Sequence, residues 1–288
     1  MLPFKLEQPV TLEEAVSMLS DGADGPVMLK AGGTDLIPWM NKFLVHPQTV
    51  VDLSGIPCLS MLEYRPDDGL YIGALATVNR VAKLPQVHAL FPALEDACLS
   101  HSDQLIRNKA TVVGNVCAAV PSGDMIPALM AYDASVHIAG PSGETDVPLE
   151  EFIVGPRRTV LKKNEIVVYI KVPAHLGLFS GCYLKLGRRN ALDLAQVGVA
   201  CVVRDIERGP VYSIACGAVA PRVLRVKAAE EMLKGVKRPD SALLEKVAEA
   251  AMNAVSPISD VRASMEYRRD QVGELVKRAV TICTASCQ

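Results

Sequence analysis

No stretch of this sequence stays apolar long enough to cross a membrane. The most continuous candidate, Leu194–Val203, is interrupted by Gln196 and falls far short of the ~18 residues a span requires. The first residues, Met1-Leu2-Pro3-Phe4-Lys5-Leu6-Glu7, lack the apolar core of a secretory signal. An excess of charge is missing too: 30 Lys and Arg stand against 32 Asp and Glu, for a net charge of -2, with no long run of one sign. That balance gives no electrostatic case for a nucleic-acid partner. The eight cysteines, at 58, 98, 117, 182, 201, 216, 283 and 287, include no C-x-x-C pair, so zinc or iron–sulfur ligation lacks its usual spacing. Most sit in apolar company, as Cys201 does in Val199-Ala200-Cys201-Val202-Val203, the pattern of buried thiols in a reducing compartment. A cytoplasmic protein is the expectation. H-E-x-x-H is absent, and no order of Ser or Cys with His and Asp argues for hydrolysis.

What is present is a large apolar fraction, 50% of 288 residues, enough to build one large core or two ordinary ones. Thr11-Leu12-Glu13-Glu14 reads as a capping box opening a helix whose apolar face is Leu12, Ala15, Val16 and Leu19, with Asp21-Gly22 ending it. Val27–Leu29, Thr49–Leu53, Leu70–Gly73, Ala134–Ile138 and Glu165–Val172 read as strands, and Pro141-Ser142-Gly143 as a turn between the last two. Leu94–Ile106 and Pro127–Ala131 read as helices. Periodicity fades over Pro173–Ser180, which marks a boundary. Beyond it the strand-like runs Gly181–Leu186, Val197–Arg204 and Val211–Val219 precede two helical faces, one on Leu243, Leu244, Val247, Ala251 and Val255, the other on Val272, Leu275, Val276, Ala279 and Val280. Arg208-Gly209-Pro210 turns the last two strands. The expected class is α+β, with a two-part N-terminal α/β domain over 1–176 (subdomains about 1–55 and 56–176) and a C-terminal domain over 177–288 built from a three-stranded antiparallel sheet with packed helices.

Two short segments carry chemistry. Ala31-Gly32-Gly33-Thr34-Asp35-Leu36 follows the apolar-edged run Val27-Met28-Leu29-Lys30, and Thr111-Val112-Val113-Gly114-Asn115 is followed nine residues later by Asp124. Glycine-bearing turns let backbone N–H groups converge on an anion and let a ligand approach closely. Neither segment has the G-x-G-x-x-G dinucleotide spacing or the Gly-Lys-Ser/Thr of a P-loop. Two such turns far apart in sequence point to two phosphates, or to one diphosphate gripped from both sides.

Two later stretches, Gly181-Cys182-Tyr183-Leu184-Lys185-Leu186-Gly187-Arg188-Arg189 and Arg262-Ala263-Ser264 with Tyr267-Arg268, complete an ordered set that spans nearly the whole chain. The set resembles the FAD-binding subunits of the molybdenum hydroxylases, the xanthine dehydrogenase and carbon monoxide dehydrogenase group. The resemblance implies a PCMH-type FAD-binding fold in which Leu29, Lys30, Ala31, Gly32, Gly33, Thr34, Asp35 and Leu36 wrap the FAD pyrophosphate. Thr111, Gly114, Asn115, Asp124, Val167 and Lys185 would be further cofactor contacts. Asp35 would point away from the diphosphate or bind a hydroxyl, and capping a turn is its simpler job. Asp124 matches an aspartate holding a polar group of FAD, and it also suits the N-cap of the helix near Pro127. Lys185 is either a cation beside the cofactor or a solvated strand lysine. His101 falls where some relatives carry an aromatic residue, and otherwise reads as a surface histidine at a helix end. Trp39 reads as core before flavin-stacking. Val113 replaces a family glycine. A β-branched residue does not readily take φ > 0, so it either has strand dihedrals and points away or alters the site.

The resemblance further implies an electron-transfer role without catalytic acid–base residues. FAD would take electrons from two 2Fe–2S clusters on a small partner subunit and pass them to NAD or another acceptor. A large molybdopterin subunit would act on the organic substrate, in a dimer of heterotrimers. No cysteine-rich insertion occupies Ala118–Glu150, so no further cluster is implied. Alternatives are a self-sufficient FAD oxidoreductase of a related fold and a flavin-free structural subunit, the latter motivated by Val113. Cys283 and Cys287 are either a redox or metal pair or part of a frayed tail.

Overall fold

A computed structural model of the chain describes residues 1–20, 25–175, 179–189, 192–205 and 209–285. The expected ends at Asp21-Gly22, Arg208 and Cys287 lie outside them. The capping box forms as read: Thr11 Oγ1 accepts the Glu14 N–H at 3.2 Å, and Glu14 Oε2 accepts the N–H groups of Val10 and Thr11 at 2.8 and 3.3 Å. The helix it opens, Leu12–Ser20, precedes the strand Val27–Lys30. That strand and Lys5–Glu7 flank Thr49–Asp52 in a small parallel sheet.

A five-stranded antiparallel sheet follows, in the order Leu62–Arg65, Gly69–Gly73, Ile166–Pro173, Ser135–Gly140, Gly143–Pro148. Ile170 stands opposite Ile72 on one side and Val136 on the other, and all three are fully buried. The register slips between Val167 and Tyr169. The Pro141-Ser142 turn joins Ser135–Gly140 to Gly143–Pro148, an edge strand missed in the sequence because its side chains are mostly exposed, with Glu144 and Asp146 among them. The helices between the sheet strands include Pro92–Ser100, Gln104–Arg107, Val112–Ala118 and Met125–Ala131.

Two expectations are corrected here. Leu94–Ile106 is not one helix: it breaks at His101–Asp103, where Asp103 accepts the Ile106 N–H at 2.8 Å as a new N-cap and Arg107 Nη1 donates to the carbonyls of Leu99, His101 and Ser102. One guanidinium thereby satisfies carbonyls that the ending helix leaves open. Thr111–Asn115 is not a glycine-bearing turn but the cap and first turn of the helix Val112–Ala118.

The last part is an antiparallel sheet, Ser180–Leu186, Val197–Arg204, Val211–Gly217 and Leu224–Arg225, with helices Lys227–Leu233, Ser241–Ala254 and Met265–Ala285. The expected three strands are present; the fourth has two residues, too few to leave a period in the sequence. Val197–Arg204 explains its own continuous apolar run. Ala200 and Val202 belong to the N-terminal core, whereas Val197, Val199, Cys201 and Val203 belong to the C-terminal one, so both faces of the strand are covered. Ion pairs of Asp133 with Arg204 and Arg225, both at 2.7 Å, tie the two parts at their seam. Cys283 is no frayed tail: it is buried in the last helix, its Sγ 3.7 Å from Cys182 Sγ. Among the described residues, no helix is long and apolar enough to cross a membrane.

Candidate functional site

The strand Val27–Lys30 ends in a turn before the helix Leu36–Asn41. At its centre Gly33 takes φ +76°, which disfavours any side chain. A Cβ on Gly32 would stand 2.0 Å from the Lys109 carbonyl oxygen, so the turn is pressed against backbone that cannot swing aside. The N–H groups of Gly32, Gly33, Thr34 and Asp35 have no acceptor among the described residues. Asp35 holds the N-cap position of the next helix, yet its side chain makes no capping bond, which corrects the turn-capping expectation. Burial raises its carboxyl above the usual range, while the charges of His101 and Arg157 act against that rise. Lys30 turns inward to Asp52 at 2.9 Å, and Asp52 accepts the Ser54 N–H at 3.1 Å. Burial works against the Asp52 carboxylate, but these bonds hold it below its ordinary value. Lys30 therefore borders the site with its ammonium already committed.

The second wall is made of helix ends. Thr111 caps Val112–Ala118, its Oγ1 accepting the Gly114 N–H at 3.0 Å. A Cβ on Gly114 would lie 2.7 Å from that same oxygen. Val113 sits in the first turn of the helix, 3% exposed, and is not among the residues with positive φ. Its helical angles correct the strand-dihedral alternative, and the residue lines the cavity rather than pointing away from it. Asn115 Oδ1 accepts the Met125 N–H at 3.3 Å and so fixes the next helix against this one.

Asp124 precedes that helix, but its carboxylate makes no capping bond. It accepts instead from His101 Nδ1 at 3.0 Å, Tyr183 Oη at 3.1 Å and Lys185 Nζ at 3.0 Å. Lys185 also donates to the Ser100 carbonyl at 3.1 Å. Its side chain is 12% exposed, so the solvated-lysine reading is corrected. The His101 side chain is 17% exposed and is likewise not a surface histidine. Tyr183 and Lys185 alternate on one strand and so share a face. Burial and the neighbouring Asp124 charge together raise the Tyr183 phenol well above its ordinary value. Sequence reasoning missed Tyr183, although its i, i+2 spacing from Lys185 was a usable signal.

The two walls face one cavity of about 650 Å³. Residues Leu29 through Leu36 line it, as do His101, Thr111, Gly114, Asn115, Asp124 and Val167. Lys185 alone among the expected contacts stands outside the lining, behind Asp124. Trp39 lines the cavity half-buried, with the Arg157 guanidinium 5.0 Å from its ring centroid, rather than joining the core. Apolar Ile106, Leu192 and Leu194 complete the rim. N–H groups without an acceptor among the described residues, a polar carboxylate cluster and apolar walls fit a long ligand with an anionic middle and a flat apolar ring. FAD meets that description.

Comparison with known proteins agrees with this geometry. Residues 2–175 match the FAD binding domain in molybdopterin dehydrogenase, and residues 182–282 match the CO dehydrogenase flavoprotein C-terminal domain. The carbon monoxide dehydrogenase medium chain of Hydrogenophaga pseudoflava is 31% identical, with all of both chains covered. A putative xanthine dehydrogenase FAD-binding subunit of Escherichia coli is 28% identical over 96% of this chain and 94% of its own. A structure of the Hydrogenophaga pseudoflava carbon monoxide dehydrogenase lacking the Mo-pyranopterin moiety superposes with a TM-score of 0.92 at 31% identity, covering 99% of each chain. The cradle, the fold and these matches along its full length place the chain in the family of FAD-binding medium subunits of molybdenum hydroxylases, the carbon monoxide and xanthine dehydrogenase type.

Proposed function

We propose that this chain holds FAD in the cavity between its two glycine-bearing walls and serves as the flavin relay of a molybdopterin-dependent hydroxylase. The observation that carries the reading is the row of N–H groups at Gly32–Asp35, without an acceptor among the described residues, on the same cavity as the Thr111-capped helix. Those N–H groups and the Thr34 hydroxyl would bind the diphosphate, with Gly32 and Gly33 permitting the approach. Thr111, Gly114 and Asn115 would meet it from the other side. Asp124, with His101 beside it and Lys185 behind, would fix a polar end, while Val167, Trp39 and Leu194 exclude water from the ring. FAD, when bound, supplies the redox chemistry, since it exchanges electrons singly or in pairs. The protein holds and shields it.

Residues 1–176, in parts of about 1–55 and 56–176, would form the FAD-binding unit and 177–288 the closing unit. Electrons would arrive from 2Fe–2S clusters of a small subunit and leave to NAD or another acceptor, while a large molybdopterin subunit works on the organic substrate. A dimer of heterotrimers in the cytoplasm is the assembly this reading favours. Carbon monoxide, xanthine and nicotine enzymes all contribute relatives, so the substrate belongs to the large subunit's pocket.

The test is the visible spectrum of the purified chain, with released cofactor identified by chromatography and partner chains sought by copurification. FAD and two partners are expected. FMN would overturn the diphosphate assignment of both walls, and a chain that stays colourless with FAD and partners present would sink the flavin role.

A further inference from the structure

The helix Leu36–Asn41, which carries the cavity-lining Trp39, ends against the usual preference of its backbone. The Leu44 N–H bonds the Trp39 carbonyl at 2.9 Å, and the Phe43 N–H bonds that of Met40 at 3.2 Å. This pair of bonds is a Schellman ending, whose hinge residue takes the left-handed region. Phe43 is that hinge, with φ 57°. Glycine suits the place, and a bulky side chain there is strained. The ring gains little burial from the arrangement. Phe43 is 56% exposed and Leu44 58% exposed, and the ring that Phe43 meets, that of exposed His46, has its centroid 6.2 Å away. An apolar pair held in water on strained backbone calls for a cover that this chain does not supply.

The surroundings say which cover fits. Trp39 joins the turn to Arg157, whose guanidinium lies 5.0 Å from the centroid of the tryptophan ring. Arg157 itself takes φ 55° between the strands Ile153–Gly155 and Arg158–Thr159, and its N–H bonds the Ala119 carbonyl at 2.8 Å. The strip is therefore continuous and pinned at both ends. Lys42, Arg157 and Arg158 are exposed, and none of them forms an ion pair among the described residues. Asp35, at the cavity, is an acid that feels the Arg157 charge. Aromatic side chains with arginine among them are the composition of an interface centre. The cations argue against a second copy of this chain as the occupant, because a two-fold contact would set them against one another. They fit a partner with an acidic rim. Trp39 belongs to the cavity lining and to the strip at once, so a protein covering the strip stands beside whatever the cavity holds. Electron transfer falls off steeply with distance, and this favours the partner that carries the donating centres.

We propose that the strip of Trp39, Lys42, Phe43, Leu44 and Arg157 is the docking surface for the small iron–sulfur subunit, whose contact face is acidic around an apolar centre. Phe43 and Leu44 anchor the partner; Lys42 and Arg157 steer it. The inference rests on the flavin-relay reading above and adds the place at which the electron donor is received.

The test is titration of the FAD-loaded full chain with the iron–sulfur subunit taken from the copurified complex, followed by sedimentation, beside an unfolding curve for each variant. Phe43→Gly is decisive, because a structural role and a docking role give opposite signs. Glycine relieves the positive φ, so the denaturation midpoint should hold or rise with FAD content unchanged, while the dissociation constant for the iron–sulfur subunit should rise about tenfold or more. Lys42→Glu should slow association and weaken its dependence on ionic strength. When the reduced iron–sulfur subunit is mixed in, flavin reduction in Phe43→Gly should be slow at low subunit concentration and reach the wild-type rate at saturation. An affinity that neither variant alters overturns the docking surface and leaves the flavin role standing. A lowered midpoint in Phe43→Gly with unchanged affinity does the same, since the fold itself then holds the ring. A loss confined to the large subunit, or to a dimer of this chain, overturns the choice of occupant. A chain that takes up no FAD overturns the flavin reading and this inference with it.

Discussion

The two walls of the cavity reach the same end by different physics. In the first, the chain itself is the device: Gly33 occupies φ +76° and Gly32 leaves no room for a Cβ beside the Lys109 carbonyl. In the second, the glycine answers first to a helix cap. Gly114 is required because the Thr111 hydroxyl folds over its N–H, and Val113 is tolerated because the backbone there is helical. A glycine in a sequence motif therefore does not by itself report a turn. It can equally report a helix cap that needs space. The second wall is also the one tied to the C-terminal part, through Asp124 to Tyr183 and Lys185, whereas Lys30 and Asp52 anchor the first wall locally.

The sharpest way to break this contrast is Asp124→Ala. It removes the shared acceptor of three donors in a site where Asp124 and Lys185 are only 6% and 12% exposed. Leaving a buried ammonium unpaired costs about 3–5 kcal/mol, so chemical denaturation should show a loss of that order together with loss of FAD. A loss below about 1 kcal/mol would mean that Lys185 finds water and that the seam does not depend on Asp124.

Next in size is Gly32→Ala. The clash is with backbone, so relief requires moving the segment at Lys109, and overpacking of this kind costs about 3 kcal/mol. FAD affinity should fall with stability, because the N–H row moves with the turn. Titration of FAD into the variant, alongside its unfolding curve, separates the two effects; unchanged affinity would remove Gly32 from the cradle. Val113→Gly follows, at about 2 kcal/mol from lost apolar burial and helix propensity. Restoring the family glycine here should therefore destabilise the chain without tightening FAD binding, and a tighter complex would revive the idea that the valine obstructs the site.

Much of this was legible before the fold was known, and the failures share a cause. The capping box at Thr11 and Glu14 and the long C-terminal strands are written in local periodicity, so they were found. The cradle residues were read by resemblance, and all but Lys185 line one cavity. The misreadings fall where a residue's role is set by a distant partner. Asp124 and Lys185, 61 residues apart, admitted a cap and a solvated lysine beside their cofactor readings, because each supplies the environment of the other. His101 looked exposed because the carboxylate it meets, Asp124, stands 23 residues further on, before another helix. The break inside Leu94–Ile106 depends on Asp103 and Arg107, which a helical apolar pattern passes over.

The finest test of the contrast is a double-mutant cycle on the second wall. Gly114→Ala alone should destabilise, since its Cβ would press on the Thr111 hydroxyl at 2.7 Å. Thr111→Ala alone should cost about 1 kcal/mol as a lost N-cap. With the hydroxyl gone, however, the added methyl meets no other close neighbour: the next atom, Thr111 Cβ, lies 3.9 Å away. Alanine then contributes its helix propensity, about 1 kcal/mol over glycine. Gly114→Ala should thus change sign, from destabilising in the wild type to stabilising in the Thr111→Ala background, a coupling that unfolding curves of the four proteins measure directly. No such rescue is available at Gly32, where the obstacle is a carbonyl that no substitution at Lys109 removes. If the two changes at the second wall simply add, Gly114 is held by something other than the cap, and the difference between the walls closes.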